Sequence, residues 1–261
     1  MEPAAPLAGG DPLIVAHRGA WGEAPQNSPA ALEAAIALGC DMVELDVRRT
    51  RDGRLVVVHD ARAGGTAVAA LVYEQLRDRL KPGQAAPRLE ALLEPAAGRI
   101  ALDVELKEED CAEATMQMLA SRLPTDQYVV TSFLDSALAT ARRAGPDVRT
   151  GLLLHPGRRP RSLERRLSQA GADFVAPHAS LARAGLLAWA ANRGLSSYVW
   201  TVNDTRALRT LLADARVAAV ITDRPARALA HREQGAQARG AARRQRRQRA
   251  SRRVDTSADR E

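Results

Sequence analysis

Lysine is nearly absent from this chain: only Lys81 and Lys107 stand among its 38 basic residues. Aromatics are also few, at 3% of 261 residues. So few rings argue against a base-stacking nucleic-acid surface, and aliphatic Ala, Leu and Val are expected to fill the core. Cysteine occurs twice, as Cys40 and Cys111, too far apart to define a disulfide framework or a thiolate metal cluster. Both read as small core residues in a reducing compartment. The opening MEPAAPLAGGDP has neither a basic start nor an apolar run of signal-peptide length. No stretch approaches the ~20 apolar residues of a membrane span. The expectation is a soluble, cytoplasmic protein.

The net charge of +7 is unevenly spread. Residues 231–261 hold ten arginines and four acidic residues, a balance of +6, so the remaining 230 residues are almost neutral. The tail RGAARRQRRQRASRRVDTSADRE has almost no apolar residues to offset its ordering entropy, and disorder is expected there. Its positive run could contact polyanions or an anionic membrane surface nonspecifically.

Residues 1–11 read as a flexible leader and residues 12–230 as one domain. Within it, short β-branched runs alternate with Ala/Leu-rich amphipathic stretches. Eight strands are expected: 13–17, 42–47, 100–107, 128–132, 148–154, 173–177, 197–203 and 218–223. A helical stretch follows each, for example 29–39, 111–123 and 181–194. Eight strand–helix units predict an α/β fold of the (β/α)8 TIM-barrel type. An open doubly wound sheet fits less well, because no Gly-x-Gly-x-x-Gly fingerprint is present. More than fifty residues separate the second and third strands. The Asp52-Gly53 turn before LVVV signals a hairpin there, so a small insertion after strand two is expected at the top of the barrel.

Placed on that barrel, the chemistry-bearing residues gather at the strand ends. His17 ends the first strand. Glu44 and Asp46 are two apart on the second, and Asp103, Glu105 and Lys107 alternate along the third, so each set points to one face. Charged groups at inward barrel positions are tolerated only near the open mouth, paired or bound to a metal. Glu44, Asp46 and Glu105 would repel one another without a cation, and all-oxygen ligands favour Mg²⁺ or Ca²⁺ over zinc. Lys107 and Arg18 suit a phosphate oxygen, the first as a compact cation and the second as a bidentate fork. His17 and His59 suit proton transfer in opposite directions near neutral pH.

These residues fall in order within recognisable elements: HRG at 17–19, PQNS at 25–28, ELDV at 44–47, TRDG at 50–53 and HD at 59–60. PRLEALLE (87–94), ELK (105–107), TSF (131–133), WTVN (200–203) and ITDRP (221–225) continue the series. The sequence resembles the glycerophosphodiester phosphodiesterases. The resemblance implies a barrel with an insertion after strand two and metal-dependent hydrolysis of glycerophosphodiesters to sn-glycerol 3-phosphate and an alcohol. It makes His17 and His59 the acid/base pair and Glu44, Asp46 and Glu105 the metal ligands. Arg18 and Lys107 become phosphate-binding residues, and Trp200 lines the pocket for the glycerol or other alcohol group. One element departs: the family's Pro-Glu-Asn-Thr reads Pro25-Gln26-Asn27-Ser28 here. Gln26 removes a negative charge from the expected metal shell, while Ser28 keeps a hydroxyl able to cap the helix that starts at Pro29. Two alternatives remain at this level: lysophospholipase D-like hydrolysis of a longer lipid phosphodiester, and a non-catalytic binding barrel.

Overall fold

In the computed structural model, residues 10–22, 24–156 and 162–258 are described, with side chains through Ala241. The expected leader lies outside the described residues except for Gly10 and Asp11. The described chain opens with β1 (Leu13–His17), α1 (Pro29–Leu38) and β2 (Met42–Arg49). An excursion follows: β3 (Leu55–Val57), the short pair β4 (Arg62–Ala63) and β5 (Thr66–Ala67), α2 (Tyr73–Asp78) and α3 (Glu90–Ala96). Alternation resumes with β6 (Ala101–Leu106), α4 (Ala112–Arg122), β7 (Tyr128–Ser132), α5 (Asp135–Ala144), β8 (Thr150–Leu154), α6 (Leu163–Ala170) and β9 (Phe174–Pro177). Then come α7 (Ala179–Leu181), α8 (Leu187–Ala191), β10 (Ser196–Val199), α9 (Thr205–Leu212), β11 (Val217–Thr222) and α10 (Pro225–Ala258).

Strands β1, β2, β6, β7, β8, β9, β10 and β11 pair in parallel in that order, and β11 pairs back onto β1. This closed ring, with helices between the strands, is the expected (β/α)8 barrel. Strand β3 runs antiparallel against β2, with Arg49 opposite Leu55 across the Thr50–Arg54 turn. The Asp52-Gly53 signal thus marks the expected hairpin. The excursion carries its own small apolar core around Val56, Val68, Leu71 and Leu76.

Alternation along each parallel strand sends one set of side chains into the ring. Val15, Met42, Ala101, Val129, Leu153, Ala219 and Ile221 pack there with Phe174 and Tyr198. Aliphatic residues do not fill this interior alone: the Phe174 and Tyr198 rings lie 4.4 Å apart. Gly151 makes the space, since a Cβ at that position would sit 2.2 Å from the Phe174 ring. Outside the ring, a larger aliphatic layer joins strands to helices.

Helix α1 starts as its sequence predicts. Ser28 Oγ accepts from the Ala31 amide at 3.1 Å, Pro29 takes the first turn, and Gly39 ends the helix at φ 77°. Two expectations are altered. The stretch 181–194 is not one helix: a π-turn spans Ala182–Leu186, with Gly185 at φ 92° where only glycine is comfortable. Residues 231–258, expected to be disordered, continue α10. Their Ala, Arg and Gln content gives strong helix propensity without offering a core face, so low hydropathy does not oppose a helix. Ala228 is fully buried at the base of α10, and ion pairs Arg232–Asp41 and Arg239–Asp11 fasten the next turns. Among the described residues no helix is long and apolar enough to cross a membrane.

Candidate active site

The inward alternation that places Val15, Met42 and Ala101 in the barrel interior places His17, Glu44, Asp46, Asp103 and Glu105 above them. These charged positions end at the carboxyl mouth, where backbone and side chains of several strands converge. Register holds them level: His17 lies opposite Glu44, and Asp46 opposite Glu105. All three carboxylates expected to bind metal are buried, and one oxygen from each falls within 4.8 Å of the others.

That arrangement is costly for three anions. Burial, Asp46 and Glu105 together push the Glu44 carboxyl well above its ordinary range. Burial also raises Glu105, although Lys107 opposes it. Burial works against the Asp46 charge, but Lys107 and Arg18 outweigh it and hold that carboxyl low. Glu44 Oε1 is buried with no hydrogen-bond partner. Asp46 Oδ1 and Glu105 Oε1 meet the Lys107 ammonium at 3.1 and 2.7 Å. An orphaned Glu44 oxygen among hard oxygen donors, with Lys107 reaching only the other two carboxylates, fits a Mg²⁺- or Ca²⁺-type cation. Burial disfavours the Lys107 charge, yet Glu105 and Asp46 prevail and raise its pKa, so the ammonium stays charged. Asp103, one alternation below Glu105, is fully buried; its Oδ1 accepts from Thr131 Oγ1 at 2.7 Å. Burial pushes its pKa up to about 7.

His17 Nε2 stands 3.8 Å from Glu44, and its Nδ1 lies 2.6 Å from Asp223 Oδ1. Burial works against the Asp223 charge, but the His17 hydrogen bond outweighs it and lowers that carboxyl below the usual range. An ionised Asp223 can only accept, which makes Nδ1 the donor and leaves Nε2 with a lone pair facing the mouth. Asn203 completes the line, donating from Nδ2 to Asp223 Oδ2 at 2.6 Å and accepting the Asp223 amide on Oδ1 at 2.9 Å.

His59 arrives from the excursion, just past β3. Its backbone carbonyl is clamped by Arg48, whose Nε and Nη2 donate at 3.1 and 2.9 Å while Nη1 reaches Glu108 at 2.6 Å. The ring is half-exposed, and Nδ1 lies 2.9 Å from Asp60 Oδ1. Burial lowers its pKa; Asp46 pulls it back, and Lys107 and Arg18 push it further down.

The turn between β1 and α1 shows why His-Arg-Gly stands there. Arg18 adopts φ 59°, a conformation rare for a residue with a side chain, and its amide then donates to Glu44 Oε2 at 3.0 Å. Gly19 packs directly on α1, where a Cβ would lie 2.7 Å from Ala31. Arg18 Nε sits 3.0 Å from Asp46, and Nη1 donates to Gln26 Oε1 at 2.9 Å. Gln26 therefore touches Arg18, and the three-carboxylate cluster forms without it. The neighbouring Asn27, at φ 57°, donates to Asp46 Oδ2 at 2.9 Å.

Trp200 stands on the far side of the mouth. Its Nε1 donates to the Ala176 carbonyl at 2.6 Å, and its ring meets Phe133 at 5.4 Å and His178 at 5.2 Å. Every residue proposed for the site from sequence thus lies at one end of the barrel. Arg48 and the role of Asn27 do not stand out in the sequence; Asn203 and Asp223 do, at the ends of the seventh and eighth expected strands within WTVN and ITDRP, but their link to His17 does not. Arg48 was findable, since it continues the Glu44–Asp46 alternation; the Asp223 contact spans 206 residues and has no local signal.

Comparison with known proteins matches residues 17–227 to the model of the glycerophosphoryl diester phosphodiesterase family. The Bacillus subtilis protein YhdW, named as a candidate glycerophosphodiester phosphodiesterase, is 31% identical over 233 residues, covering 81% of this chain and 94% of its own. A crystallised glycerophosphodiester phosphodiesterase from Parabacteroides distasonis superposes with a TM-score of 0.76 at 27% identity, over 87% of this chain and 98% of that one. An Oleispira antarctica phosphodiesterase, solved with the product sn-glycerol-3-phosphate, matches with a TM-score of 0.69 at 26% identity, over 85% and 96%.

Proposed function

The chain belongs to the glycerophosphoryl diester phosphodiesterase family, and from that premise we propose that it hydrolyses glycerophosphodiesters to sn-glycerol 3-phosphate and an alcohol by two-histidine acid/base catalysis. The observation that carries this reading is a buried carboxylate triad flanked by His17 and His59, with opposite proton roles available. Glu44, Asp46 and Glu105 would hold a Mg²⁺- or Ca²⁺-type cation, which when bound supplies charge neutralisation on the phosphate.

His17 is the base. Asp223 keeps its Nδ1 protonated, so Nε2 can take the proton of the attacking hydroxyl, and the carboxylate then stabilises the imidazolium that forms. His59 is the acid. Its ring sits at the exposed rim, where the leaving alkoxide needs a proton. Burial lowers the resting pKa of His59, with Lys107 and Arg18 adding to it, and the anion of a bound phosphodiester offsets those two charges. Lys107 and Arg18 also bind the non-bridging oxygens, and Trp200 lines the glycerol side. The proposed compartment is the cytoplasm, where the free, buried thiols of Cys40 and Cys111 stay reduced.

The test is turnover of glycerophosphocholine and glycerophosphoethanolamine by purified protein with Mg²⁺, Ca²⁺ or EDTA. His17→Ala and His59→Ala should each lose about 10²–10⁴-fold in kcat. Full activity in either variant, or in EDTA, overturns the assignment.

A further inference from the structure

Strand β2 sends Arg48 to the same face as Glu44 and Asp46, one alternation nearer the mouth. The side chain is buried, and all three of its guanidinium nitrogens are engaged. Two of them, Nε and Nη2, donate to a single acceptor, the His59 carbonyl, at 3.1 and 2.9 Å. The third, Nη1, donates to Glu108 Oε1 at 2.6 Å. A buried guanidinium serving charge balance alone would turn its fork to the carboxylate, where two parallel bonds are strongest. Here the fork grips a backbone oxygen, and that oxygen belongs to the residue carrying the proposed acid.

The two partners lie on segments that have just left the sheet. Strand β3 ends at Val57, and the Val58 amide donates to the Asp46 carbonyl at 2.9 Å. His59 comes next, its ring half-exposed and its Nδ1 on Asp60, which is exposed too. A contact between exposed groups holds a ring only weakly, so the anchored backbone decides where the ring can reach. On the other side β6 ends at Leu106, and Lys107 and Glu108 follow. Glu108 is fastened in turn: its carbonyl accepts from Cys111 Sγ at 3.0 Å, and its Oε2 accepts from the Arg49 amide at 3.5 Å. Arg48 therefore ties the segment that carries the phosphate cation to the segment that carries the acid.

We infer that Arg48, oriented by Glu108, is a positioning residue that sets the distance from His59 to a phosphate held at Lys107. The inference rests on the phosphodiesterase reading above and adds a residue to its proton-transfer step. In that step the bond from phosphorus to the head-group oxygen breaks with its electron pair on oxygen, which takes the His59 Nε2 proton. Transfer needs heavy atoms about 2.6–3.2 Å apart, and a misplacement of about 1 Å costs on the order of 10²-fold. A lysine at 48 would keep the charge opposite Glu108, but its single nitrogen cannot also grip the carbonyl with a planar fork.

The experiment compares two diesters of glycerol phosphate, the choline ester and the p-nitrophenyl ester, with Mg²⁺ or Ca²⁺ present. Choline leaves as an alkoxide that needs a proton, whereas p-nitrophenolate leaves without one. Arg48→Lys and Arg48→Ala should each lose about 10–100-fold in kcat on the choline ester and stay within about twofold on the nitrophenyl ester. His59→Ala should show the same split with a larger loss. In the His59→Ala background Arg48→Lys should cost nothing further, because its effect passes through that ring. The Lys variant keeps the charge and the stem, so it carries the test where the Ala variant fails to fold. Equal losses on the two esters, or no loss on either, overturn the inference, since Arg48 then supports the whole site or none of it. A further loss in the His59→Ala background overturns it as well. A His59→Ala protein fully active on the choline ester, or an unaltered protein that cleaves neither ester, overturns the phosphodiesterase reading and this inference with it.

Discussion

Replacing Asp223 by Asn should damage catalysis more than replacing it by Ala. In the folded protein Asn203 Nδ2 donates to Asp223 Oδ2 at 2.6 Å, and the other oxygen, Oδ1, faces His17 Nδ1 at 2.6 Å. An asparagine at 223 must keep its amide oxygen toward the Asn203 donor. Its NH₂ then points at His17, and a donor there forces Nδ1 to accept. The ring proton moves to Nε2, the atom proposed to take a proton from the attacking hydroxyl. The base is lost while the geometry is preserved, a tautomer error that costs about 10²–10⁴-fold in kcat. Asp223→Ala removes the anion but leaves the ring free to choose its tautomer. Its loss should be about 10–100-fold, the usual range for an outer partner of a site histidine. The assay is kcat on glycerophosphocholine at saturating cation for both variants, with thermal unfolding to show that each is folded. If the Asn variant is the more active of the two, the Asn203–Asp223–His17 argument is wrong.

Glu44→Gln should raise the melting temperature of the cation-free protein by relieving burial and like-charge cost at Glu44. It should also abolish cation-induced stabilisation, which at one hundred times Kd is ~2.7 kcal/mol, or about 5–10 °C for a domain of this size; calorimetry with and without EDTA reads both. Asp103 has a folded pKa raised to about 7, so its contribution to stability is full below the ordinary carboxylate range and is lost as pH rises through about 7. Denaturant titrations of the cation-free protein should therefore show unfolding free energy falling by up to ~1.4 kcal/mol per pH unit from the ordinary carboxylate range up to about pH 7 and levelling off above it, a slope that Asp103→Asn flattens and that persists if another group is responsible. Gln26→Glu would pair with Arg18 and add an anion near Asp46, and should tighten cation binding several-fold by isothermal titration; weaker binding would contradict the placement of Gln26. Truncation after Gly240 keeps the Arg232–Asp41 and Arg239–Asp11 pairs and should leave turnover unchanged, whereas a large loss in kcat would give the distal helix a part in the domain.

The barrel was legible because its signal repeats: each strand run reappeared within a few residues of its expected span, and the Asp52-Gly53 turn marked the one break in rhythm. The interior alternation was legible for the same reason, so Glu44, Asp46 and Glu105 align from sequence alone. What escaped were effects carried by neighbours in space. The helix expected over 181–194 breaks because Gly185 takes a left-handed turn, and a lone glycine inside an Ala/Leu pattern does not announce which conformation it will adopt. The tail misled in the opposite way. Its lack of apolar residues argues against a core, but Ala, Arg and Gln favour helix, and α10 has only to continue from a base already packed at Ala228.

The lysine at 107 also acquires a physical reason. Three buried carboxylates cannot all be ionised without positive charge nearby, and Lys107 provides it at 2.7 and 3.1 Å from two of them. Those same oxygens belong to the set that fits a divalent cation, so the ammonium and the cation compete for them. An arginine at 107 would hold the carboxylates with a planar fork and resist displacement. In the proposed mechanism the four-carbon stem of lysine would let a compact charge neutralise the cluster when no cation is present and turn to a phosphate oxygen when one is. A single residue can then link loading of the carboxylates to readiness for a phosphodiester, which explains why lysine is kept here in a chain that otherwise uses arginine almost throughout.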